Sequence, residues 1–188
     1  MPLKIDQLYQ SGLISEIDRA FAQMIDRRLG GIDPSVSLAA ILVSRATASG
    51  DVCLDLAALT QEGFQTPESA TVIPVEITLQ QWIERLSSSP AVGALNENKP
   101  MILDGCRLYL QRYWKYENMV AQGILERCGH TKESSDMAMR SDFSSNNLRY
   151  EGDPDQLRAI NVALTKRFAV ISGGPGTGKT FTIAQIIV

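Results

Sequence analysis

The residues best suited to chemistry lie together near the end of the chain: Gly173, Gly174, Pro175, Gly176, Thr177, Gly178, Lys179 and Thr180. Their G-x-x-x-x-G-K-T spacing is that of a loop that cradles phosphates. Glycine permits the turns in which successive backbone N–H groups converge on an anion. A helix beginning at the end of the loop adds the partial positive charge of its N-terminus. In such a loop Lys179, the expected catalytic residue, reaches the β- and γ-phosphates of a nucleoside triphosphate, and the Thr180 hydroxyl ligates Mg²⁺. Pro175 stiffens the turn and so reduces the entropy lost on binding. A glycine-rich turn that merely caps a helix is the plainer alternative, but it requires neither the extra glycines nor the flanking pattern described next.

The elements around the loop arrive in the right order. Phe168-Ala-Val-Ile-Ser172 reads as a short apolar strand of the kind buried in a parallel sheet, and Lys179 to Val188 reads as a helix. Upstream, Asp153-Pro154-Asp155-Gln156 opens a helix running to about Arg167. Gln156 has two readings here. Its amide can donate and accept at once, as adenine recognition requires. It also stands at the third position of a helix capped by Asp153, where a glutamine reaches back in a capping box. The residues alone leave both readings open.

The preceding chain is mainly helical in pattern. Ile14, Ile17, Phe21, Met24 and Ile25 recur at helical spacing, and Gly30-Gly31 supplies a stop. Asp33-Pro34-Ser35 opens a second helix whose residues 36–46 are apolar on nearly every side, as befits the middle of a core. Val52-Cys53-Leu54 forms a short strand or an extended link, followed by a looser stretch to about Pro74. Thr78 and Gln81 form a capping-box pattern, launching a helix with Leu79, Trp82, Ile83 and Leu86 on one face. Residues 101–110 read as a β-hairpin turning at Asp104-Gly105, with a helix from about Gln111 to Arg127 behind it. Arg107, Tyr109, Arg112, Tyr113, Trp114, Lys115 and Tyr116 mix basic and aromatic groups. Such a mix can stack single-stranded nucleic acid, although packed aromatics beside solvated charges are the commoner arrangement. Residues 129–149 are polar and poor in large apolar groups, which suits a linker.

Composition sets outer bounds. Of 188 residues, 44% are hydrophobic and 21% charged, which fits soluble globular protein, and no apolar run reaches membrane-spanning length. A net charge of −3 advertises no global attraction to nucleic acid, though a local groove can be positive on an acidic protein. Cys53, Cys106 and Cys128 are too scattered for a disulfide framework or a zinc site, so buried free thiols are expected. His130, the single histidine, reads as a solvated loop residue. The cytoplasm is the default location, since the N-terminus lacks the blocks of a signal peptide.

The run Phe168 to Thr180, with Asp155-Gln-Leu-Arg-Ala-Ile-Asn-Val-Ala-Leu164 before it, resembles the opening of superfamily 1 DNA helicases. Val36 to Ser44, Gly50 to Leu56, and Pro100 to Leu110 followed by Arg112-Tyr-Trp narrow the resemblance to the RecD family, the alpha subunits of the bacterial RecBCD helicase–nuclease (exodeoxyribonuclease V). This resemblance covers nearly the whole chain and is weakest at 57–99 and 129–150. It implies an ATP-driven 5′→3′ motor acting on single-stranded DNA with RecB and RecC as partners, in double-strand-break resection and recombination. It further implies an N-terminal domain that docks onto RecC, and it favours adenine contact for Gln156.

The expected organisation is a mainly α N-terminal assembly domain with a small β-hairpin over 1–128 and a linker over 129–149. From 150 to 188 it is the beginning of an α/β RecA-like P-loop domain. The chain stops eight residues past Thr180, with no acidic pair, arginine finger or second motor domain following. An N-terminal piece of a longer protein is therefore expected, without ATPase or helicase activity of its own. An AAA-type ATPase or nucleotide kinase, or a non-enzymatic docking module for RecC, are the rival readings.

Overall fold

The computed structural model describes residues 5–10, 12–31, 33–66, 69–73, 75–129 and 153–187. His130 and most of the expected linker therefore lie outside the described residues. The chain divides into two compact units, residues 1–118 and 119–188.

The first unit is built around one helix. Asp33 caps it, its carboxylate accepting the Ser35 N–H at 2.8 Å, and Pro34 occupies the first turn, where its missing donor costs nothing. The helix (α3, Pro34–Ala48) buries Val36, Ala39, Ala40, Ile41, Leu42 and Val43, as its all-round apolarity predicts. Before it stand α1 (Ile5–Gln10) and α2 (Glu16–Leu29). A full capping box starts α2, with the Asp18 carboxylate taking both the Ser15 N–H at 2.9 Å and the Ser15 hydroxyl at 2.7 Å. Gly30 ends it in the left-handed region at φ 71°, a conformation glycine adopts without a Cβ penalty. The stripe of α2 is narrower than its sequence suggests. Ile25 and Ala22 are buried and Phe21 is half-buried, but Ile17 is 76% exposed and Met24 also faces out.

Besides α2, helix α3 packs against a second helix and a sheet. The hairpin forms as expected from β5 (Met101–Asp104) and β6 (Arg107–Leu110), with Met101 opposite Leu110 and Asp104 opposite Arg107. Its two turn residues are Gly105 and Cys106, one position later than the Asp104-Gly105 expected, and Gly105 alone carries the positive φ, 59°. Glycine at the first central position is the signature of a II′ turn rather than a I′ turn. This hairpin is the centre of a larger mixed sheet. The two-residue strands β1 (Leu54–Asp55) and β4 (Val92–Gly93) flank it in the order β1-β6-β5-β4, with β4 parallel to β5. Between them the supposedly loose stretch contains α4 (Leu56–Glu62) and a second hairpin, β2 (Phe64–Thr66) with β3 (Ser69–Ile73). Thr78 caps α5 (Leu79–Ser87) with the predicted capping box. Its Trp82 is wholly buried, and the indole N–H is satisfied by the Ser35 carbonyl of α3 at 3.0 Å.

The long helix α6 (Gln111–Gly129) follows β6 without a break. In the second unit the regular elements among the described residues are the C-terminal part of α6, α7 (Pro154–Thr165) and α8 (Lys179–Ile187). Residues 168–172 do not form the expected buried strand: they pair with no described segment, Phe168 is exposed and Val170 is 76% exposed. A strand exists only as one side of a hydrogen-bonded ladder, so apolar character alone does not make one. The cysteines are free, but Cys53 and Cys106 are half-buried and Cys128 is exposed, so the expectation of buried thiols fails. Cys106 occupies a hairpin turn and Cys128 the last turn of α6, both surface positions by construction. No described helix is long and apolar enough to cross a membrane.

Candidate functional site

The phosphate-loop residues form a turn between residues 168–172 and the first residue of α8, Lys179. Two of its glycines meet a conformational demand, Gly176 at φ 78° and Gly178 at φ 75°. Gly173 meets a spatial one, since a Cβ there would lie 2.8 Å from the Thr177 Oγ1. Three of the four glycines expected to share one role thus divide between left-handed turns and close approach, while Gly174 meets neither demand.

Cross-bracing comes from side chains. The Thr177 hydroxyl donates to the Gly174 carbonyl at 2.9 Å. Lys179 folds over the loop, its ammonium donating to the carbonyls of Gly173 and Gly174, both at 2.6 Å. Thr182, buried in the first turn of α8, returns its hydroxyl to the Gly178 carbonyl at 3.1 Å and its N–H to the same oxygen at 2.9 Å. Thr182 was not singled out in the sequence, though a hydroxyl four residues after the last loop glycine is a recurrent back-bonding position. Thr180 is exposed at the start of α8.

Gln156 reaches this loop from α7. Asp153 caps α7 through the Asp155 N–H at 2.9 Å, with Pro154 next in line. One turn in, the Gln156 Nε2 donates to the Thr177 carbonyl at 3.3 Å. It lies so close to the backbone that a Cβ on Gly178 would stand 2.6 Å from it. The structure therefore brings Gln156, Gly173, Gly174, Thr177, Gly178 and Lys179 into one constellation.

The residues fit a polyphosphate. The loop contributes two left-handed glycines, one ammonium, a helix N-terminus and no carboxylate, a donor set matched to an anion. Lys179 and the loop backbone would hold the phosphates and Thr180 would hold a divalent cation, whose charge would offset that of the phosphates.

The basic and aromatic group around residue 110 separates by position. Tyr109 is buried, and its phenol is pushed up to about 12, first by burial and then by the neighbouring Cys53 and Glu117 charges. It is a core residue rather than a stacking platform. Arg112 lies over the Tyr116 ring at 5.3 Å and donates to its hydroxyl at 3.0 Å. Tyr113 meets Tyr116 edge-on with ring centres 6.4 Å apart. Tyr113 and Trp114 are half-buried, while Arg112, Lys115 and Tyr116 are exposed.

A glycine loop so braced, ending at a lysine on a helix N-terminus, has the build of a P-loop, and residues 156–188 match the model of an AAA domain. Residues 10–109 match the model described as RecBCD enzyme subunit RecD, N-terminal domain, and the chain belongs to that family. The RecBCD enzyme subunit RecD of Mycobacterium tuberculosis (strain CDC 1551 / Oshkosh) is 29% identical over 185 residues, covering 95% of this chain and 28% of the relative. That of Mycolicibacterium smegmatis is 32% identical over 156 residues, covering 82% of this chain and 25% of the relative. That of Buchnera aphidicola from Acyrthosiphon pisum is 25% identical over 183 residues, covering 94% and 29%. The chain thus spans only about a quarter to a third of the length of these relatives.

Proposed function

We propose that the chain is the N-terminal part of a RecD subunit, an ATP-dependent 5′→3′ DNA helicase that works with RecB and RecC in double-strand-break resection and homologous recombination in the bacterial cytoplasm. The observation that carries this reading is the braced loop 173–178 with Lys179 at the head of α8, in a chain of the RecD family. In this reading residues 1–128 are the assembly domain, 129–149 a linker, and 150–188 the start of a RecA-like motor domain. ATP is the nucleotide and Mg²⁺ its counter-ion: Gln156 contacts adenine, residues 173–179 hold the phosphates, and Thr180 binds Mg²⁺. Single-stranded DNA is the track along which the full-length subunit moves. The N-terminal domain docks onto RecC, and the outward-facing Ile17 and Met24 of α2 supply apolar surface suited to such a contact.

One experiment separates the two roles. In the full-length subunit, Lys179→Ala should abolish ATP hydrolysis while leaving co-purification with RecB and RecC unchanged. Wild-type turnover in that variant would remove the nucleotide assignment, and loss of the complex would place Lys179 in assembly instead.

A further inference from the structure

Gln156 touches the loop at the residue that also braces it. Its amide donates to the Thr177 carbonyl at 3.3 Å, while the Thr177 hydroxyl donates to the Gly174 carbonyl at 2.9 Å. The Lys179 ammonium bonds the Gly173 and Gly174 carbonyls and stands 3.5 Å from the Thr177 Oγ1. A continuous line of hydrogen bonds therefore runs from the first turn of α7 through Thr177 to Gly174 and the lysine. The next residue, Gly178, leaves room for this amide: a Cβ there would lie 2.6 Å from the Gln156 Nε2. One amide nitrogen thus bonds the Thr177 carbonyl and occupies the space over Gly178, just before Lys179.

We infer that Gln156 is a positioning residue of the phosphate loop, acting through Thr177, and that it couples base recognition to the geometry of the phosphate site. The inference rests on the reading of this loop as an ATP site. A glutamine that only read the base would have no effect on a ligand lacking a base. A glutamine that also holds the Thr177–Gly178 backbone affects every phosphate ligand, because it sets where Lys179 starts. The contact uses the amide N–H, so replacing it by a carboxylate of the same shape opposes two oxygens and breaks the brace while keeping the volume.

The test compares Mg-ATP with Mg-tripolyphosphate on the full-length subunit, using wild type, Gln156→Ala and Gln156→Glu. Direct binding of a fluorescent ATP analogue gives the first affinity, and competition by tripolyphosphate gives the second. Both variants should bind tripolyphosphate about fivefold more weakly, the size of one lost hydrogen bond, and should bind ATP more weakly by a larger factor. Unchanged tripolyphosphate affinity beside loosened ATP would overturn the inference and leave Gln156 as a base contact alone. A wild-type protein that binds neither ligand would overturn the ATP-site reading itself, and the inference with it. Melting temperatures equal to wild type exclude misfolding as the cause of weaker binding.

Discussion

The two units hold their shape by different means. In residues 1–118 the order comes from burial: α3 is enclosed on nearly every side, Trp82 and Leu86 close one flank, and Met101 and Leu108 of the sheet close another. In the described part of residues 119–188, Ile160 and Thr182 are the buried side chains, while Val170, Phe181, Ile183 and Ile187 stand exposed. The second unit nevertheless contains the more exacting geometry, because its loop is shaped by local hydrogen bonds and glycine conformations. Backbone chemistry of short sequence range can specify a binding loop without a core, but only a core gives it global stability. A core can thus hold the first unit in shape while the loop of the second keeps its geometry with most of its side chains exposed.

Removing one buried side chain from each unit tests that contrast. Trp82→Ala deletes a fully buried indole together with its hydrogen bond to the Ser35 carbonyl, and should cost about 4 kcal/mol, read from urea unfolding of the first unit. Ile160→Ala removes the one buried apolar side chain described in the second unit and should cost about 2 kcal/mol, the low end for such a change, because exposed surroundings collapse easily. Hydrogen exchange supplies the reading for Ile160, since α7 amides should open locally while those of α3 keep full protection. Equal costs at the two sites would mean that the second unit has a core of its own and would erase the distinction.

Much of this arrangement was legible in the sequence, and what was legible was local. The apolar run 36–46, the Thr78–Gln81 box and the Gly30 stop each depend on residues within one or two turns, and each forms. The features that escaped depend on partners distant in sequence. Strand β4 is visible only through its pairing with β5, and the 52–54 stretch that allowed a strand or an extended link becomes a strand only at Leu54–Asp55, through pairing with β6. Residues 168–172 have the apolarity of a buried strand, yet no described segment completes a ladder with them. Ile17 and Met24 fit the helical period, but α2 packs through Asp18, Ala22 and Ile25, leaving them outside. At the loop, the residue types were legible, whereas the Gln156–Thr177 bond joins positions 21 apart and had no local signature.

The smallest expected effect tests the cap at the head of the buried helix. Asp33 accepts from the Ser35 N–H at 2.8 Å, from the Ser35 hydroxyl at 2.5 Å, and lies 3.5 Å from the Arg85 guanidinium. Its carboxyl is held below the ordinary value of 3.8, chiefly by the Ser35 hydroxyl, with the Ser35 N–H and Arg85 adding to it against the opposing effect of burial. A carboxylate whose folded pKa is depressed stabilises the protein above its unfolded pKa, and that stability is lost as pH falls through the folded value. The first unit should therefore weaken as pH drops below about 3.8. Asp33→Asn retains a good capping side chain but removes the titration, so its stability should fall less steeply over the same window. Because the carboxylate is about 40% exposed, solvent screening keeps the difference small. Urea midpoints taken at pH 5 and pH 3 for both proteins isolate it from the other carboxylates, which titrate alike in each. Parallel losses would show that the cap at α3 works through shape and neutral hydrogen bonding alone. A smaller loss in the asparagine variant would show that charge helps fix the head of the helix on which the first unit is built.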